Sequence, residues 1–183
     1  MIKKRLMAST KLQFSPLILT LVAFLALMVF AVAAFANGSM VPNAKLVGEA
    51  RYKYLLWSVF DAKLYAPNGQ LQKGAPFALQ LTYLRDFSDR DLAKQSVDEM
   101  RKQGFRNEVK LAAWYREMER IFPSVKKGTS ITGIHAPGQG AHFYLNSQFL
   151  GTVKDQEFSN RFFSIWLAPK ANDQSFRRKL LGG

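Results

Sequence analysis

Alternation of apolar and polar residues predicts β-strands in the first half of the chain. Between residues 77 and 85, Phe77, Leu79, Leu81, Tyr83 and Arg85 share one face, and the residues between them share the other. Upstream, residues 46–65 are rich in β-branched and aromatic side chains and precede a turn at residues 67–69. We therefore expect strands in both segments.

Helical periodicity follows the second of these strand segments. Ser88 with Asp91 three residues later predicts an N-cap, and the helix that it begins is expected to end at Gly104. Asn107 is expected to begin a second helix, which Pro123 ends.

The last third of the chain returns to strands and then to helices. Strands are predicted at residues 130–136, 141–145 and 148–153, with a tight hairpin at residues 146–147. Asp155 and Asp173 are expected to cap two further helices. This order favours an α+β fold with an antiparallel sheet over alternating β–α units.

The N-terminal segment reads as a targeting signal. Basic residues 3–5 precede an apolar run over residues 17–36, which closes on the A-x-A pattern Ala34-Phe35-Ala36. We expect residues 1–36 to be a signal peptide or an N-terminal membrane anchor, residues 37–45 a short linker, and residues 46–183 a single domain. The domain is then exported, either periplasmic or anchored to the inner membrane and facing the periplasm.

Composition narrows the possible chemistry. The 183 residues include no cysteine and only two histidines, which excludes disulfides, thiolate metal sites and a cysteine nucleophile. Lysine and arginine number 26 against 13 acidic residues, a formal net charge of +13. The positive charges are dispersed, which favours an ordinary solvated surface; the alternative is an anionic partner, either an acidic small molecule or an anionic membrane surface. No nucleic-acid-binding motif is present, so we expect no nucleic acid.

Arg85 is the strongest candidate for a binding residue, because strand parity puts its guanidinium at the end of an apolar row. A buried charge needs a partner, either an internal carboxylate or a bound anion. The alternatives are pairing with Asp61 or Asp86, or bending out to solvent. Arg51 is a second candidate, with a solvated strand face as the alternative reading.

Neither a metal site nor a hydrolase site is predicted. His135 and His142 flank a Pro-Gly loop and could face each other across a hairpin, but they lack a third ligand. No serine lies in a nucleophile-elbow setting. We expect no metal and no cofactor.

Several segments together resemble the chalcone isomerase-like family, in particular its bacterial exported branch. One of them is the stretch FALQLTYLRDF, residues 77–87. The matching segments are residues 47–51, 57–67, 77–87, 122–128, 143–146, 162–167 and 177–182. The resemblance covers essentially the whole chain after residue 45.

The resemblance implies an open-faced β-sandwich, in which helices cover one face of a large antiparallel sheet and a ligand cleft lies between them. The anion-binding arginine of the family falls on Arg85, and its early-strand arginine on Arg51. Its strand hydroxyl falls on Ser58 and its late-helix hydroxyl on Ser164. These four residues are the expected catalytic set if the protein is an enzyme.

Phe87 departs from the pattern of the isomerases, which carry a tyrosine at this position. Phenylalanine cannot supply the hydroxyl that helps to orient water or the ketone. The resemblance therefore implies a non-catalytic protein that binds a fatty acid or similar amphiphilic carboxylate through Arg85. Arg51, Ser58, Tyr83, Phe87 and Ser164 are the expected additional ligand-binding residues.

Two alternatives remain open at the level of sequence. The first is an intramolecular lyase or isomerase acting on a chalcone-like or enone substrate. The second is a membrane-proximal protein-interaction module, in which a solid core lies under Arg85 and its side chain is ion-paired.

Overall fold

A single antiparallel sheet forms the framework of the domain. The computed structural model describes residues 41–169, 171 and 173–183. Six strands lie side by side in chain order within these residues, each antiparallel to its neighbours. They are β1 (Ala44–Tyr54), β2 (Trp57–Pro67), β3 (Phe77–Tyr83), β4 (Ser130–Ala136), β5 (Gly140–Leu145) and β6 (Gln148–Val153).

Four helices are present in the same part of the chain, and each has a polar N-cap. They are α1 (Asp89–Lys102), α2 (Glu108–Ile121), α3 (Gln156–Leu167) and α4 (Gln174–Leu180). The predicted caps Ser88, Asn107, Asp155 and Asp173 each accept a hydrogen bond from a backbone N–H of the first turn. At Ser88 and Asp91 the reciprocal capping box is complete, which confirms the predicted helix start.

The helices and the main core lie on one face of the sheet. Helix α3 packs on β4 and β5, α2 packs on β6, and α4 packs on β1 and β2. The predicted alternation in β3 is confirmed, since Phe77, Leu79, Leu81 and Tyr83 all belong to this core. A second, smaller cluster of Val41, Ala78 and Ile134 contains residues of the opposite face. This architecture confirms the α+β open-faced sandwich.

The strand segment at residues 46–65 is in fact two strands. Tyr54 pairs with Trp57, so Leu55 and Leu56 form the turn between β1 and β2. The sequence did not signal this turn, because tight hairpins usually carry glycine or asparagine there. Leu55 instead adopts a left-handed backbone conformation with φ of 53°.

The predicted targeting segment, residues 1–36, lies outside the described residues. Among the helices that are described, none is long and apolar enough to cross a membrane.

Candidate ligand-binding cleft

A cleft of about 890 Å³ lies between helix α1 and the covered face of the sheet. It forms because α1 packs against α2 and α3, the helices beside it. A volume of this size is typical of small-molecule binding sites, which range over about 300–1,000 Å³.

The inner end of the cleft is apolar and largely aromatic. Leu79, Gly133 and Phe143 are aligned across three neighbouring strands and line it. Phe122 and Phe162 close around Phe143, with ring centroids 4.9 and 5.2 Å away. Since Phe143 is fully buried and none of these side chains carries a polar group, this end suits a hydrocarbon.

The mouth of the cleft, defined here as Tyr54, Trp57 and Arg85, lies at the end of the sheet where β3 stops. Tyr54 is 64% and Trp57 is 61% exposed. The guanidinium carbon of Arg85 lies 4.6 Å from the centroid of the Trp57 ring, a cation–π contact. The strand ends at Tyr83, so Arg85 is exposed at the rim rather than buried beneath the apolar row.

Among the described cations that line the cleft, Arg85 alone has no carboxylate partner. Lys94 bonds to Asp98 at 2.7 Å and Lys102 bonds to Glu99 at 2.8 Å. Arg85 does not form the ion pair with Asp61 or Asp86 that was one alternative from the sequence, because both acids have other partners. Asp61 binds Arg51, and Asp86 binds Lys126 Nζ at 3.0 Å.

Tyr83, two residues before Arg85 in the chain, places a phenol inside the cleft. It is 7% exposed, and its hydroxyl has no hydrogen-bond partner among the described residues. Burial raises the pKa of Tyr83 well above its usual range, so the hydroxyl remains protonated. A protonated phenol facing the cleft can donate a hydrogen bond to an anion.

Phe87 also lines the cleft, in edge-to-face contact with Tyr83 at 5.7 Å. Its backbone pairs with Val125 through two hydrogen bonds of 3.0 and 2.9 Å. The residue therefore contributes an apolar surface at the point where an isomerase would need a hydroxyl.

Three predicted site residues lie outside the set that lines the cleft. Arg51 alternates onto the opposite face of the sheet and makes two hydrogen bonds to Asp61, of 2.6 and 2.8 Å. Ser58 pairs with Lys53 beside the hairpin turn. Ser164 on α3 donates to the Asn160 carbonyl at 2.6 Å, within its own helix. Arg51 and Ser164 are thus satisfied within the protein, and none of the three faces the cleft.

The two histidines do not face each other, contrary to the expectation from the sequence. His135 pairs with Ala141 and His142 with Ile134, which puts the two imidazoles on opposite faces of the sheet. His135 is buried and its Nδ1 lies 2.7 Å from Ser159 Oγ, while His142 Nδ1 lies 2.7 Å from Thr152 Oγ1. Across residues 41–169, 171 and 173–183, no three or more histidine or acidic residues form a metal-binding group.

Trp57 and helix α1 also contribute to the cleft, and neither contribution was predictable from the sequence pattern. Leu92, Ser96 and Glu99 line it from this helix. Successive members are four and three residues apart, which places all three on one helical face, but two of them are polar. A face with mixed polarity gives no hydrophobic pattern in the sequence, so its position in the cleft is evident only from the packing of the helix.

The fold and the cleft define a class of protein: an antiparallel sheet with helices over one face, and between them a cleft with an apolar inner end and an arginine at its mouth. The sequence profile described as chalcone isomerase-like matches residues 45–182, and the chain belongs to that family.

Comparison with solved structures agrees on the fold. The crystal structure of a fatty-acid binding protein of Arabidopsis thaliana superposes with a TM-score of 0.61 at 15% sequence identity. The match covers 77% of this chain and 88% of that protein. A search of curated proteins finds no match.

Proposed function

We propose that this protein binds a fatty acid or a similar amphiphilic carboxylate in the cleft without transforming it. The observation that carries the proposal is the guanidinium of Arg85, which has no carboxylate partner among the described residues and lies at the mouth of a cleft whose inner end is apolar. A guanidinium that has no carboxylate partner within the protein is available to bind the carboxylate of a ligand. The similar structure from Arabidopsis is described as a fatty-acid binding protein, which supports this choice of ligand.

In this proposal each end of the ligand has its own place in the cleft. The carboxylate pairs with Arg85 and accepts a hydrogen bond from the Tyr83 hydroxyl. The hydrocarbon tail runs towards Leu79, Gly133 and Phe143. Tyr83 and Leu79 are four positions apart on β3, and at strand spacing this separation spans about 13 Å. This depth accommodates an extended alkyl chain.

The two alternatives have less support. Phe87 provides no hydroxyl for an isomerase, and the predicted catalytic residues Arg51, Ser58 and Ser164 do not line the cleft. A pure interaction module was expected to have a solid core under Arg85 and an ion pair on it, and the described residues show neither. We therefore favour binding over both.

The proposal includes export. The apolar run over residues 17–36 and its A-x-A ending support a periplasmic location, or anchorage to the inner membrane with the domain on the periplasmic side.

The test compares two arginine variants of the full-length protein. Arg85→Ala is expected to weaken binding of dodecanoate about 10- to 100-fold, because hydrogen bonds to charged groups contribute about 1.5–3 kcal/mol. Arg51→Ala is the matched control, since it removes the same charge from the opposite face of the sheet. Titration calorimetry gives the affinities, and dodecan-1-ol tests the need for a carboxylate.

Equal affinity in the wild type and Arg85→Ala would contradict the proposal. Mass spectrometry of solvent extracts identifies any acid that co-purifies with the wild type and is lost from Arg85→Ala. Loss of chalcone absorbance faster than the spontaneous rate would instead favour the isomerase alternative.

A further inference from the structure

The tip of the β1–β2 hairpin, Tyr54 to Trp57, is the most exposed apolar segment of the described chain. Leu55 is 81% and Leu56 is 96% exposed, and the aromatic residues on either side are more than half exposed. Leucine side chains in water are unfavourable by about 1.5–3 kcal/mol each relative to burial. Neither leucine serves the fold, because both side chains point away from the core.

The backbone conformation of the turn makes leucine an unusual residue at position 55. Leu55 occupies the left-handed region, where glycine or asparagine is the usual residue. The hairpin therefore carries a residue that is poorly suited both to its conformation and to water. An environment other than water would account for it.

The charges around the tip are positive. Residues 52–60 contain no acidic side chain, Lys53 is exposed directly before the tip, and Arg85 stacks on Trp57 at its end. Beyond residue 36 the chain carries 22 basic and 13 acidic residues, so the domain as a whole is also basic. Such an arrangement complements an anionic surface.

We propose that the hairpin tip inserts into the surface of an anionic lipid bilayer. Two leucines would enter the acyl region, and Tyr54 and Trp57 would lie at the headgroup level, where amphipathic aromatic residues are favoured. A protein partner fits less well, because a stable interface needs roughly 20–30 residues on each side. A four-residue projection is far smaller, whereas a fluid bilayer needs no matching shape.

Insertion at this position would bring the mouth of the cleft to the membrane, since Tyr54 and Trp57 line the cleft as well as flanking the tip. A ligand could then pass between lipid and cleft without crossing water. This consequence rests on the proposed function, but insertion of the tip does not.

The absence of cysteine allows one fluorescent label to be placed at a chosen position of the full-length chain. Leu56→Cys places it at the tip, and Val109→Cys is the matched control at an isolated exposed apolar residue, 82% exposed, on helix α2. The labelled proteins are mixed with vesicles of phosphatidylcholine and phosphatidylglycerol whose acyl chains carry bromine, a contact quencher.

We expect quenching of the label at position 56 and little at position 109, with a weaker effect when phosphatidylglycerol is omitted. No quenching at position 56 would overturn the proposal and leave a protein partner as the occupant of the tip. Equal quenching at both positions would also overturn it, because adsorption would then not involve the tip specifically.

A second measurement separates the tip from the binding site. Leu55→Ser combined with Leu56→Ser is expected to slow transfer of a fluorescent fatty acid to the same vesicles at least about tenfold. Affinity in solution should be unchanged, because neither leucine lines the cleft. If no fatty acid binds at all, the proposed function fails while the quenching experiment still tests the tip.

Discussion

His135 shows how a single buried side chain links the stability of the fold to pH. It stacks on Phe77 at 4.9 Å and hydrogen-bonds Ser159, and burial lowers its pKa below the ordinary histidine value of 6.5. As the pH falls through 6.5, the unfolded chain takes up a proton that the folded protein does not. The unfolding free energy must therefore decrease towards lower pH, until the folded state also becomes protonated.

We predict that urea unfolding at pH 7.5 and pH 5.5 shows lower stability at the acidic pH, and that His135→Asn reduces this difference. The difference between the two pH values is the readout, since any loss from removing the ring affects both. His142→Asn, on the opposite face of the sheet, is the control. An undiminished pH difference in His135→Asn would show that another group is responsible.

At the residue scale, the sequence located the capping residues and Arg85 but not their surroundings. Caps such as Ser88 depend on neighbours three residues away, so a local pattern is sufficient. Whether Arg51 or Arg85 faces the cleft depends on where each strand stops and which carboxylate lies near it. Asp61 lies ten residues from Arg51, on the next strand, and only the register of β1 with β2 brings the two together.

At the scale of elements, the close packing of helix α4 on strand β1 explains why residue 48 is a glycine. Helix α4 and the residues after it lie against β1 at Gly48, where the backbone itself is in contact. A Cβ atom there would overlap the carbonyl oxygen of Lys179 and would lie 2.7 Å from the Gly182 nitrogen. Backbone atoms cannot rotate away, so the helix would have to shift.

We predict that Gly48→Ala lowers the unfolding free energy by about 1–3 kcal/mol, the usual range for overpacked sites. Gly183→Ala is the matched control from the same contact region, where the nearest atom would be at an ordinary 3.6 Å. Denaturant titrations of both variants provide the comparison. Similar stability in the two would mean that α4 can move off β1 at no cost.

Most elements were predictable because their signals are local. The alternation in β3 and the N-caps of the four described helices each depend on a few consecutive residues. The hairpin turn at Leu55 and Leu56 was not predictable, because leucine is typical of a strand interior and not of a turn. If the tip does enter lipid, the missing turn signal and the exposed leucines have the same cause.

The cleft is a property of the whole molecule, and no segment of the sequence encodes it. It exists because α1 rests on two other helices and leaves space above the sheet. The residues that line it come from strands, loops and two helices. Their apolar members look like core residues in the sequence, so a cavity and a filled core could not be distinguished there.

Ligand binding should stabilise the entire domain. At a dodecanoate concentration of 100 times its Kd, linkage predicts a gain of about 2.7 kcal/mol, since the unfolded chain has no cleft. For a chain of this length the thermal midpoint should rise by roughly 5–11 °C. Differential scanning calorimetry with dodecanoate and dodecan-1-ol provides the test, and an equal rise with both would show that the carboxylate is not recognised.

The chain between β3 and β4 forms one side of the cleft, whereas the two strands themselves belong to the framework of the sheet. These strands pair directly from Thr82 with Ser130 to Phe77 with His135, and the intervening chain contains α1 and α2. An isolated antiparallel bridge between Phe87 and Val125 joins the two ends of this helical segment. The residues of α1 that line the cleft thus belong to a segment between two strands that pair with each other directly, so this side of the site is separate in the chain from the hydrogen-bonded framework of the sheet.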